Sequence, residues 1–198
     1  MLLDKREIIR SFLCIEIPKE IKGRIGEFIS KVKALDSSVK WVEKDSLHIT
    51  LKFLGEEPRT KVERMKDFLE GEIPELGVKP FAIYVRGIGV FQSWDRPRVI
   101  WVGLEGDGIT QLKVLRDFAE KGARRLDFQR DEKPFSPHIT LGRAKMGKIS
   151  PGLRKELEGK KDLDFGSFVV RELILMRSQL FPEGPVYTPL AIFPLEGG

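Results

Sequence analysis

The chain contains two histidines, and both open the same tetrapeptide: His48-Ile49-Thr50-Leu51 and His138-Ile139-Thr140-Leu141. Threonine is scarce, at five residues in 198, so finding one two places after each histidine is unlike a chance pairing. On a β-strand residues i and i+2 share a face, so each motif projects an imidazole and a hydroxyl together while the isoleucine and leucine anchor the strand. If the tertiary fold brings the two strands to one pocket, the convergent groups suit in-line displacement at phosphorus. One neutral imidazole can take a proton from an attacking water, and the other, as imidazolium, can give one to the leaving oxygen. The threonine hydroxyls can donate to the non-bridging oxygens as charge builds there. Two His and two Thr, with no carboxylate or thiol in register, make a poor divalent-metal site, so neither a metal nor another cofactor is expected. Spacing does not distinguish the acid from the base. It also leaves open a module that binds a nucleotide or RNA end without turnover.

The remaining reactive groups are few. Cys14 is the one cysteine and sits in the apolar run Phe12-Leu13-Cys14-Ile15, which excludes an intrachain disulfide and a cysteine-rich zinc site. It reads as a small buried hydrophobe. A net charge of +5 and a pI near 9.3 suit an anionic ligand, although the cations are interleaved with acids and form no basic arm. Charged residues make up 33% of the chain, above the usual level of about 25%. No apolar run approaches the roughly 18 residues of a membrane span, and residues 1–7 are too charged for a signal peptide. The reading is a cytoplasmic protein with no membrane partner.

Positioning these motifs falls to alternating strands and amphipathic helices. Strands are expected over residues 10–17, 39–42, 47–54, 81–91, 99–104, 138–141, 165–170, 172–180 and 186–193. Helices are expected over 19–35, 60–69 and 107–125, with a short one near 152–157. Residues 92–97 read as a loop. The motif occurs once in each half, with strands and a helix before it. That predicts an α+β protein built as two similar lobes. A monomer is expected.

Beyond the two tetrapeptides, the sequence resembles the 2H phosphoesterase superfamily, and within it the RNA 2′,3′-cyclic phosphodiesterases, also called 2′–5′ RNA ligases. The resemblance runs nearly end to end. It is carried by Phe12–Ile17 before Pro18, by Trp41 with His48 to Glu56, and by Gly89-Val90-Phe91 with Pro97 to Trp101. Phe135 to Arg143 and the run from Leu175 to Leu180, with Gly184 and Tyr187, complete it. The chain departs from the family in lacking a proline after Gly89-Val90-Phe91. The resemblance implies an α+β fold in which residues 1–198 form one bilobal domain, two lobes of antiparallel sheet with flanking helices and the active site in the groove between them. It implies hydrolysis of RNA 2′,3′-cyclic phosphate ends to 2′-phosphates, with joining to a 5′-hydroxyl end as a related activity. It implies His48 and His138 as the acid–base pair, Thr50 and Thr140 as phosphate ligands, Arg143 as a phosphate contact, and Phe53 as a platform for the terminal base.

Alternation alone places Phe53 on the core face with Leu51, so packing and base stacking both stand for it. The same alternation places Lys52 with His48 and Thr50, either approaching the phosphate or in solvent. Trp41 and Trp101, in strands, read as core, and Trp94 as an exposed loop contact.

Overall fold

The computed structural model describes residues 7–195. The charged start read above, residues 1–6, lies outside them, as do residues 196–198. The strands are β1 (Ile8–Glu16), β2 (Val39–Trp41), β3 (His48–Pro58), β4 (Phe81–Ser93), β5 (Arg96–Glu105), β6 (His138–Ala144), β7 (Asp164–Val170), β8 (Glu172–Phe181) and β9 (Gly184–Pro194). The helices are α1 (Lys19–Val32), α2 (Arg59–Glu72), α3 (Gly108–Arg125) and α4 (Pro151–Glu158). The expected elements are all present. The difference lies at the expected loop over 92–97, where β4 and β5 continue to a tight turn at Trp94-Asp95.

Local sequence accounts for these elements. In α1, Ile21, Ile25, Phe28, Ile29 and Val32 recur at three- and four-residue spacing and bury one stripe. Helix α4 begins at Ser150, whose hydroxyl accepts from the Leu153 amide at 3.2 Å, followed by Pro151 in the first turn.

All strand pairs are antiparallel, in the order β7-β4-β5-β6-β3-β1-β8-β9, with β2 also pairing β6. The order divides into two four-stranded lobes, β7-β4-β5-β6 and β3-β1-β8-β9. They meet at a seam of one ladder pair, Ile49 opposite Ile139. Past that pair β2 takes the edge of β6, from Trp41 opposite Gly142 to Val39 opposite Ala144. With β3 displaced from that edge, the lobes diverge. The lobes are not the two halves of the chain, because β8 and β9 return to flank β1.

The helices cross the seam. Helix α1 follows β1 but packs on the other lobe, with Phe28 edge-on to Phe165 at 5.8 Å and the Arg24 Nη1 donating to the Phe165 carbonyl at 3.1 Å. Helix α3 packs on β3, β4 and β5 and meets α2 through the stacked rings of Phe68 and Phe118. One continuous core joins these helices to both lobes, and both seam isoleucines are fully buried in it. The opposite face of the sheet is therefore left open along the seam. There a separate small cluster of Phe12, Cys14, Ile174 and Met176, with Tyr187, lies beside the first histidine motif.

Candidate active site

The pairing of Ile49 with Ile139 sets the site. Their side chains point into the core, so His48, Thr50, His138 and Thr140, one residue to either side, project from the open face. In antiparallel register His48 then lies across from Thr140, and Thr50 across from His138. The motifs thus sit on neighbouring strands of one sheet, not on two separate walls.

Each motif is followed by a β-bulge at its leucine. On β3, Thr50 pairs with Cys14 and Lys52 with Leu13, leaving Leu51 unmatched. On β6, Thr140 pairs with Trp101 and Gly142 with Ile100, leaving Leu141 unmatched. An extra residue turns the following side chains to the other face. This reverses the simple alternation. Phe53 leaves the core face, is 53% exposed, and joins His48 and Thr50 on the open side. Lys52, expected beside His48, turns inward and is 1% exposed. Its ammonium donates to the Gln129 carbonyl at 2.7 Å and to Asp131 at 2.8 Å, and pairs with Glu120 at 3.1 Å. These partners lie outside the two motifs. Lys52 holds the segment that leads into the second motif. The equivalent bulge on β6 brings Arg143 to the open face.

The two imidazoles are anchored alike. Nδ1 of His48 donates to the Ser46 carbonyl at 2.8 Å, and Nδ1 of His138 to the Ser136 carbonyl at 2.7 Å. A carbonyl only accepts, so this fixes the proton on Nδ1 and leaves Nε2 as the basic nitrogen of each neutral ring. The Thr50 hydroxyl, 3.0 Å from the His48 Nε2, donates to it in the neutral ring. Phe12 stacks on His48 at 4.8 Å between centroids, and Tyr187 meets it edge-on at 5.2 Å. Phe91 meets His138 edge-on at 4.7 Å.

Burial between these rings lowers the His48 pKa to about 4, with the charges of Lys22 and His138 adding to the effect and the Ser46 carbonyl opposing it. Burial also lowers that of His138, with Arg143 adding to it and the Ser136 carbonyl opposing it. The influence of His138 on His48 places both rings in one electrostatic neighbourhood. The Arg143 charge also bears weakly on Tyr187 of the other lobe.

Three aromatic residues were not foreseen in the site. Phe12 and Tyr187 wall His48, and Phe91 borders His138. No spacing in the sequence ties these aromatic residues to the motifs, and the anchoring carbonyls leave only a trace, the repeat Ser-x-His-Ile-Thr-Leu, in which Ser46 and Ser136 both stand two places before a histidine. The contact is through the main-chain carbonyl, which no side-chain pattern reports.

Trp101, expected in the core, pairs with Thr140 and so shares its face, where its ring lies 5.5 Å from Phe91. The indole fits because Gly89 lies against it; a Cβ at Gly89 would come within 2.3 Å of the ring. Trp41 packs against the core as expected. Trp94, expected as an exposed contact, is half-buried against the core at the hairpin turn. Cys14 is fully buried, and that burial pushes its thiol pKa far above the ordinary range. Among the described residues no three of His, Cys, Asp or Glu are grouped so as to hold a metal ion, and no helix is long and apolar enough to cross a membrane.

An α+β fold of two antiparallel lobes, with paired His-x-Thr motifs on the open face of their seam, defines a phosphoesterase of the two-histidine class. The sequence model of the LigT like phosphoesterases matches residues 15–101 and again 102–187, and the chain belongs to that family. The RNA 2′,3′-cyclic phosphodiesterase of Methanocaldococcus jannaschii is 36% identical over 179 residues, covering 90% of this chain and 96% of that one. The protein of the same name from Thermus thermophilus is 34% identical over 193 residues, covering 96% and 91%. The crystal structure of Escherichia coli LigT complexed with 3′-AMP superposes with a TM-score of 0.74 at 26% identity, covering 96% and 99%.

Proposed function

We propose that the protein hydrolyses 2′,3′-cyclic phosphates at RNA ends to 2′-phosphates, without a metal, using His48 and His138 as its acid–base pair. Water attacks phosphorus in line with the 3′ oxygen. The P–O3′ bond breaks as the new P–O bond forms. One Nε2 takes the water proton, and the other delivers a proton to the departing 3′ oxygen, giving a 2′-phosphate and a 3′-hydroxyl. Solvent exchange then restores both rings. A 5′-hydroxyl in the place of water gives 2′–5′ joining by the same displacement.

The observation that carries this reading is the seam pair Ile49–Ile139, which turns both motifs to one face with each Nδ1 already committed to a carbonyl. Thr140 donates to a non-bridging oxygen, and Thr50 does the same once the substrate draws its hydroxyl away from the His48 Nε2. Arg143 supplies the counter-charge, and Phe53 the surface for the terminal base. Burial makes both imidazoles favour the neutral form. An entering phosphate anion raises their pKa values and lets one ring hold the proton the leaving oxygen needs. One chain carries both motifs, so a monomer suffices. The relatives named as RNA 2′,3′-cyclic phosphodiesterases and the 3′-AMP complex of LigT support the substrate class.

The test is turnover of adenosine 2′,3′-cyclic phosphate in EDTA by the wild type and by His48→Ala and His138→Ala. The wild type is expected to yield 2′-AMP and each variant to lose that turnover. Near-wild-type rates in either variant, tight binding without product, or a requirement for added metal would end the assignment.

A further inference from the structure

Next to Arg143 the open face deepens into a cleft of about 640 Å³ between the β4–β5 hairpin and the chain following β6. Gln92, Arg96 and Arg98 line it on the hairpin side, and Arg143, Met146 and Lys148 on the other. No carboxylate lines it, and among the described residues none of its four cations is ion-paired. The acid at the hairpin turn, Asp95, is held by Arg154 at 2.7 Å. Some cations elsewhere on this surface are matched with acids, as in the pairs Lys61–Glu57 and Arg125–Glu72; what marks the cleft is four cations lining one concavity with no carboxylate among them.

The backbone points to the same place. Among the described residues three non-glycine ones adopt positive φ, and two of them, Gln92 at 77° and Met146 at 60°, line this cleft. Such conformations cost energy and concentrate where a surface is shaped for a ligand. Arg98 is itself the unmatched residue of a bulge, because Phe91 pairs with Val99 and Gln92 with Pro97. Arg96, Arg98 and Lys148 are exposed at the rim, and Arg143 is shared with the histidine site.

We infer that Arg96, Arg98 and Lys148 form a second phosphate site, which binds the phosphodiester immediately 5′ of the cyclic end in an RNA strand. The inference rests on the cyclic-phosphate reading above. A terminal nucleotide whose 2′ and 3′ oxygens are closed on one phosphorus connects to the rest of its strand only through its 5′ oxygen. Any further phosphate of the substrate therefore leaves the histidine site on that side. A cleft of unpaired cations beginning at Arg143 is where such a phosphate gains most. The site makes the protein prefer an oligonucleotide end over a free cyclic mononucleotide.

The experiment compares kcat/KM for a trinucleotide ending in a 2′,3′-cyclic phosphate with that for adenosine 2′,3′-cyclic phosphate bearing a free 5′-hydroxyl. The enzymes are the wild type and the Arg96→Ala/Arg98→Ala/Lys148→Ala variant. The wild type is expected to favour the trinucleotide, with a preference that shrinks as salt is raised. The variant should lose about tenfold or more on the trinucleotide and stay within about twofold of wild type on the mononucleotide, which also reports that it is folded. Equal activity of the wild type on both substrates, an unchanged trinucleotide rate in the variant, or equal losses on both would overturn the second site. A wild type that opens neither substrate defeats the cyclic-phosphate reading instead.

Discussion

The two motifs are built alike and furnished differently. Each has a histidine anchored through Nδ1 to the carbonyl two residues before it, a threonine beside it, and a bulge at its leucine. Two residues past each leucine, the N-terminal motif presents Phe53 and the C-terminal motif Arg143. Around His48 the neighbours are Phe12 and Tyr187, continuing to Phe53 at 5.9 Å from Phe12. Around His138 they are Phe91 and the cation Arg143, with the basic cleft beyond. The two imidazoles share a near-symmetric frame, while the groups that flank them do not. One lobe offers aromatic surface and the other positive charge, which under the proposed function divides contact with the base from contact with phosphate.

The symmetric part of this comparison is tested by the largest effect. Each of His48→Ala and His138→Ala should lower kcat by about 10²–10⁴. The double variant should lose little more than the worse single one, because the pair acts as a unit. Fully multiplicative losses would mean the rings work independently.

The next effect concerns stability at matching bulge positions, Lys52 and Gly142. Lys52→Met leaves Glu120 and Asp131 without their buried partner and should cost about 3 kcal/mol, read from denaturant unfolding. Gly142→Ala brings a Cβ to 2.8 Å from Val39 Cγ1 and should cost roughly 1–3 kcal/mol through crowding. A neutral Lys52→Met would mean that the segment before His138 holds itself.

Acid should distinguish the two imidazoles. The His48 pKa is depressed from 6.5 to about 4 in the folded chain, so the unfolded chain binds the proton first as pH falls. Stability is then full above pH 6.5 and is lost between 6.5 and about 4. The loss is at most about 3 kcal/mol if the unfolded value is the ordinary one. Imidazole NMR titration should show His48 titrating below the less enclosed His138. Phe12→Ala, by admitting water, should raise the His48 value. Coincident titrations near 6.5 would remove the burial argument.

The smallest effects sharpen the asymmetry. Phe53→Ala should raise KM by the equivalent of about 1–3 kcal/mol and flatten discrimination among cyclic nucleotides with different bases. Arg143→Ala should weaken all bases equally, by about 1.5–3 kcal/mol. If Arg143→Ala alters base preference and Phe53→Ala does not, the division of labour between the lobes is reversed.

Much of the site was legible before any fold. His48, Thr50, His138 and Thr140 stand on the open face because period-two alternation holds within each tetrapeptide. The helices followed from spacings such as Ile21, Ile25, Phe28 and Val32. Alternation failed at Lys52 and Phe53, and the cause is local to both strands. A bulge exists only relative to a partner, and Leu51 is the extra residue because Thr50 and Lys52 pair with successive residues of β1. The same kind of register placed Trp101 beside Thr140, on the open face and not in the core.

What the sequence by itself determined was the chemistry available: two imidazoles and two hydroxyls, each set on a strand that alternation could orient. What only the tertiary structure decided was their convergence. Residues 90 positions apart meet through the single pair Ile49–Ile139, and β2 limits that seam by taking the remaining edge of β6. Such long-range pairing depends on how whole strands dock and where their bulges fall. Those are properties of the assembled sheet that no single strand carries in its own residues.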